Sequence, residues 1–106
     1  MELNPRIQTL LEFLQEDPHD ASTKYMLALE YVKMGNDAEA RKWMQENYEQ
    51  HPDYLPNYYH YGKLIEKSGD HEGAGEIFTH GMKIARAQQN NHTFNELRGA
   101  FDLLDT

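Results

Sequence analysis

With cysteine absent, the side chains best suited to chemistry are the six histidines. His19, His51, His60, His71, His80 and His92 never recur at a spacing of three or four, so no two converge on one helical face as ligands of a single metal ion. The lack of Cys also removes disulfide frameworks, thiol nucleophiles and thiolate zinc sites, and it is compatible with a reducing compartment. The run Gly69, Asp70, His71, Glu72, Gly73, Ala74, Gly75 has the glycine content of a phosphate loop. No strand pattern precedes it and no Lys-Ser/Thr pair follows, so it reads as a helix start with small residues for close packing. No nucleophile can be grouped with a base and an orienting residue, and Trp43 and the seven tyrosines are spaced as core and groove residues rather than as a cofactor box. The expectation is a non-enzyme with no cofactor and no metal.

The elements that position these residues belong to a short chain. Its 106 residues fit a single domain spanning 1–106, long enough to fold without disulfide or metal staples. Eighteen acidic residues against ten basic give a net charge of −8, which repels phosphate backbones and argues against nucleic acid as a partner. Eleven acidic and five basic residues lie up to Asp53, against seven and five beyond it, so the first half carries most of the negative charge. The start, Met1, Glu2, Leu3, Asn4, Pro5, lacks the basic and apolar regions of a secretory signal. The longest apolar run, Tyr25 to Leu29, is far short of the ~20 residues of a spanning helix. No membrane partner and a cytoplasmic location are expected.

Punctuating residues recur at a lag of 34: Pro18 and Pro52, Tyr25 and Tyr59, Lys33 and Lys67, Gly35 and Gly69, Ala40 and Ala74. Glycine, proline and small alanine in phase with helical apolar stripes mark one structural unit used twice. In the first unit Asp20 caps a helix with Leu27, Ala28, Tyr31 and Met34 on its apolar face, and Gly35 ends it. Asn36 then caps a second helix, with Glu39 as the returning arm of a capping box and a stripe of Ala40, Trp43, Met44 and Asn47; Pro52 stops it. The second unit places Tyr58, Tyr61, Gly62 and Ile65 before Gly69, then Asp70 as cap, then Ala74, Ile77, Phe78 and Gly81. Flanking helices complete the pattern. Asn4 and Pro5 open one carrying Ile7, Leu10, Leu11 and Leu14. Thr93, with Glu96, opens another carrying Phe94, Leu97, Phe101 and Leu104. Six helices and no strand follow, at 5–17, two within 21–54, two within 55–88, and 93–105.

These residues resemble the tetratricopeptide repeat, whose pattern is W-x2-L-G-x2-Y, then A-x3-F, then P over 34 residues. The first unit matches at Leu27, Ala28, Tyr31, Ala40, Met44 and Pro52, with Lys24 in the aromatic place. The second matches at Tyr58, Gly62, Ile65, Ala74 and Phe78. It departs at Tyr61, where Leu is usual, and at Arg86, where the closing Pro is expected, so its last helix should run on to about Gln89. The resemblance implies an all-α, right-handed stack of antiparallel helix pairs that grips a peptide or helix in a concave groove lined by the first helices, without catalysis.

By that geometry the groove is lined by Tyr25, Met26, Leu29 and Lys33 from the first unit and Tyr59, His60, Lys63 and Lys67 from the second. Aromatics with a few cations suit a peptide with apolar anchors and some acidic character. The Lys and Asn clamp with which one subclass holds a chaperone-tail carboxylate is absent, since its places hold Tyr25, Leu29 and His60. Tyr25, Leu29 and Val32 form a second apolar face on their helix. It is either covered by the N-terminal helix or the chain end, or open to a ligand or a second copy. A homodimer through this face is the alternative to peptide binding.

Overall fold

Three helix ends share one hydrogen-bonding device. In the computed structural model, which describes residues 4–104, Gly35 and Gly69 adopt φ of +76° and +96°, the left-handed conformation that glycine tolerates without a Cβ penalty. The amides just beyond them turn back, Asn36 N–H to the Tyr31 carbonyl at 2.9 Å and Asp70 N–H to the Ile65 carbonyl at 3.3 Å. Gln89 takes the same role at φ 59°, with Asn90 N–H donating to the Ala85 carbonyl at 2.8 Å. Side-chain caps then start the next helices: Asn36 Oδ1 accepts from Glu39 N–H (3.2 Å), Asp70 Oδ1 from Gly73 N–H (2.8 Å) and Asn90 Oδ1 from Thr93 N–H (3.0 Å).

The result among the described residues is six helices and no strand: α1 (Pro5–Glu16), α2 (Ala21–Lys33), α3 (Asp37–Gln50), α4 (Pro56–Lys67), α5 (His71–Ala87) and α6 (Asn91–Leu103). Helix boundaries differ from the sequence expectation at a few places, α1 ending one residue early, at Glu16. The last helix starts two residues before Thr93, because Asn90 and not Thr93 supplies the cap, and it ends at Leu103; Asp105, the expected end, lies outside the described residues. Asp20 holds the N-cap position of α2, and its carboxylate accepts chiefly from the Ser22 and Thr23 hydroxyls. α5 runs past Arg86 but stops at Ala87, short of the expected Gln89, which takes the left-handed conformation, and the Arg86 guanidinium lies 4.8 Å from the Phe94 ring centre.

The chain divides into two compact units between Tyr54 and Leu55. In the first, α2 packs on α3 and α1 packs on α2. Ile7, Leu10 and Leu14 of α1 are buried, as are Leu27, Ala28, Tyr31, Ala40 and Met44, while Leu11 and Trp43 are only half-buried. Lys24 is also buried, at 3% exposure; its Nζ donates to Gln50 Oε1 at 2.9 Å and lies 3.6 Å from Glu46 Oε2. In the second unit α5 packs on both α4 and α6, and α6 also touches α4. Its core is Tyr58, Tyr61, Ile65, Ala74, Ile77, Phe78, Ala85 and Leu97. Gly62 and Gly81 are sites of close approach: a Cβ on Gly62 would collide with the Phe78 ring, and one on Gly81 would lie 2.7 Å from Tyr58 Cβ and 2.9 Å from Leu97 Cδ1.

Candidate protein-interaction surfaces

The eight expected contact residues fall as two sets of four, one on α2 and one on α4. On α2, Tyr25, Leu29 and Lys33 follow one another at intervals of four with Met26 beside them; on α4, Tyr59, Lys63 and Lys67 repeat that stripe with His60 beside it. Each set therefore presents one continuous strip of its own helix.

On α2 the Tyr25, Met26 and Leu29 side chains are half-buried. The Tyr25 ring meets Tyr54 edge-on at 5.8 Å. Burial and the nearby Asp20 carboxylate raise the Tyr54 phenol above its ordinary value, so it stays neutral. Lys33 is exposed, and its Nζ lies 3.1 Å from Glu30 Oε2, the carboxylate that also meets Arg6 Nε of α1 at 3.4 Å. Val32 is 37% exposed. The second apolar face is thus neither sealed nor fully open: Tyr25 and Leu29 are partly covered, and Val32 faces solvent.

On α4 the Tyr59 ring is half-buried, 6.5 Å from Phe78 and 5.5 Å from His60. Tyr59 thus does not stand clear of the helix-pair core, because its ring reaches Phe78, the side chain that fills the α4–α5 contact. Burial pushes the His60 imidazole below its ordinary value, with Glu96 opposing, so His60 acts as a neutral polar group rather than a cation. Lys63 is exposed and its Nζ lies 3.1 Å from Glu66 Oε1.

A further concavity has almost no signature in the sequence. It is a cleft of about 680 Å³ in the second unit, walled by the α5 face from His71 to Lys83, by Phe101 of α6 and by Leu104 just beyond that helix. The one sequence signal toward it was Gly75, whose missing Cβ would sit 3.6 Å from both Phe101 and Leu104. Among the described residues no group of three or more His, Asp or Glu side chains is placed to hold a metal ion, and no helix is long and apolar enough to cross a membrane.

No family model matches the chain, and no curated protein sequence does. Solved structures do. A tetratricopeptide repeat domain protein from Salinibacter ruber superposes in its solution structure with a TM-score of 0.79 at 33% identity, over 83% of this chain and 89% of that one. The crystal structure of such a protein from the same organism gives a TM-score of 0.79 at 32% identity, over 82% and 97%. A Bordetella parapertussis protein matches at a TM-score of 0.79 and 18% identity, over 96% of this chain and 89% of that one, a likeness of fold alone. The fold is thus an all-α helical repeat. Together with the repeated helix pairs and the identity sustained across most of both chains, this means that the chain belongs to the tetratricopeptide repeat family.

Proposed function

We propose that this protein is a non-catalytic protein-interaction module that binds a peptide or helical segment through the first helices of its repeats, 21–54 and 55–88. The observation that carries the proposal is the recurrence, in register, of two side-chain strips beside the buried face of each first helix: Tyr25, Met26, Leu29 and Lys33 on α2, and Tyr59, His60, Lys63 and Lys67 on α4. Tyrosine rings propped by Tyr54 and by Phe78 present large faces at low entropy cost, which is what hot-spot residues need. The ligand has apolar or aromatic anchors for the tyrosines and carboxylates that trade places with Glu30 and Glu66 on the lysines.

The test is a capture experiment with the isolated chain on a native lysate, followed by titration of the recovered partner against variants. Lys63→Glu and Leu29→Asp should each weaken binding at least tenfold with the helical spectrum unchanged, while Lys42→Glu on α3 leaves it intact. Full affinity in both α2 and α4 variants, with loss in the α3 variant, would refute the assignment.

A further inference from the structure

We propose that the cleft between α5 and α6 is a second peptide-binding site, one that takes an arginine followed by an apolar side chain from a segment of another protein. The α5–α6 seam already holds one such arginine. The Arg86 guanidinium of α5 lies 4.8 Å from the ring centre of Phe94 on α6, within the range of a cation–π contact. Seven residues on, two turns along nearly the same face of α6, Phe101 offers a second ring to the same seam. Among the described residues no cation lies over it. Across from it α5 carries Gly75, where a Cβ would sit 3.6 Å from both Phe101 and Leu104, and Phe101 is left 40% exposed in the cleft wall.

The charges around that ring identify the occupant. Of the described carboxylates in the second unit, Glu66 pairs with Lys63, Asp102 with Arg98, Glu96 stands beside His92, and Asp70 caps α5. Glu72 and Glu76 are left over. Neither has an ion pair or hydrogen bond with a described residue, and both stand on the cleft wall, one turn apart. Glu72 gains from its place in the first turn of α5, but Glu76 lies beyond that turn, and like charges four residues apart repel. A guanidinium seated over Phe101 relieves that repulsion, with its flat face on the ring and its N–H edge toward the carboxylates. Lys83 sets the direction: it lines the cleft two turns beyond Glu76, so the cation belongs at the Glu72 end. The next side chain of the ligand rests on Gly75 and Leu104, where an apolar group gains by leaving water and a polar one finds no partner. About 680 Å³ suits a short segment of this kind. The net charge of −8 draws such a cationic segment in, and the inference does not depend on the α2 and α4 strips, whose lysines favour carboxylates.

Amide NMR shifts of the full, isotope-labelled chain, followed during titration with capped Ser-Arg-Leu-Ser, Ser-Lys-Leu-Ser, Ser-Gln-Leu-Ser and Ser-Arg-Ser-Ser peptides, test the proposal. The Arg-Leu peptide should give saturable shifts at Gly75, Thr79 and Phe101. It should bind about tenfold or more tightly than the Gln-Leu and Arg-Ser peptides, with the Lys-Leu peptide between them. Gly75→Leu fills the floor of the cleft and should abolish those shifts, while its helical dichroism stays at least at the parent's level because leucine favours helix over glycine. Glu72→Gln combined with Glu76→Gln should weaken binding about tenfold. Lys63→Glu on α4 should leave it unchanged, which keeps failure here separate from failure of the α2 and α4 strips. No saturable shifts at the highest peptide concentration, equal affinity for the Gln-Leu peptide, or full binding in Gly75→Leu or in the double Gln variant overturns the proposal.

Discussion

Lys24 and Tyr58 stand at the same place in the two units, 34 residues apart, and both are buried, yet they close their helix pairs by different physics. In the first unit the lysine reaches Gln50 and Glu46, and Asn47 donates through Nδ2 to the Ala21 carbonyl at 3.0 Å. In the second the tyrosine lies on Gly81, the residue in register with Asn47, and meets His80 edge-on at 5.4 Å. A second exchange runs alongside: Ala28 and Met44 in the first unit become Gly62 and Phe78 in the second, a smaller residue answering a larger one. The repeat therefore conserves the volume shared between its two helices rather than the residues that fill it. In the first unit the buried lysine brings its partners with it, Gln50 and Glu46 on the facing helix.

That comparison can be broken most forcefully at Phe78. Phe78→Ala should destabilise by about 3–5 kcal/mol, because Gly62 offers nothing to refill the void, and thermal unfolding monitored by dichroism would register it. Gly81→Ala pushes a methyl group onto Tyr58 and Leu97 and should cost about 1–3 kcal/mol in denaturant unfolding; a neutral outcome would mean that the α4–α5 contact is looser than described. Converting the first unit toward the second sharpens the argument. Lys24→Tyr alone should overpack against Asn47, and adding Asn47→Gly should recover about 0.5–3 kcal/mol relative to the sum of the single changes. Strict additivity in that double-mutant cycle would show that the two places are not coupled. The caps should behave alike in both units: Asn36→Ala and Asp70→Ala are each expected to cost about 1 kcal/mol.

The smallest effect is a pH dependence confined to the second unit. Burial holds His60 below 6.5, so the unfolded chain takes up its proton first as the pH falls. Its contribution is nil well above 6.5; stability then declines as the pH drops through 6.5 toward the folded value. His60→Gln should flatten that segment of the stability profile, and an unchanged slope would place the titration elsewhere.

The helix ends were legible because they depend on neighbours in sequence: Gly35, Gly69, Asn36 and Asp70 act within a few residues of themselves. The start of α6 was less legible for the same reason, since Asn90 and Thr93 are both competent caps within three residues of one another, and it is Asn90 that accepts from the Thr93 amide. Lys24 departs from the repeat pattern; its burial depends on Glu46 and Gln50, a helix away, which local pattern does not reveal. The strips on α2 and α4 could be placed from register alone. Their state could not, because the ion pairs on Lys33 and Lys63 and the neutral His60 arise from packing. The α5–α6 cleft had still less signal, being made by Phe101 and Leu104 folding over Gly75, a contact between residues with no periodic relation.

The central claim, that partner segments bind along the first helices of the repeats, is tested most directly by site-specific photo-crosslinking in lysate. A photoreactive residue would be placed in turn at Leu29 on α2, Lys63 on α4, and Lys42 and Gln45 on α3. The account predicts discrete adducts of one mass from Leu29 and Lys63 and none from the α3 positions. Adducts from Lys42 and Gln45, with Leu29 and Lys63 silent, would contradict it.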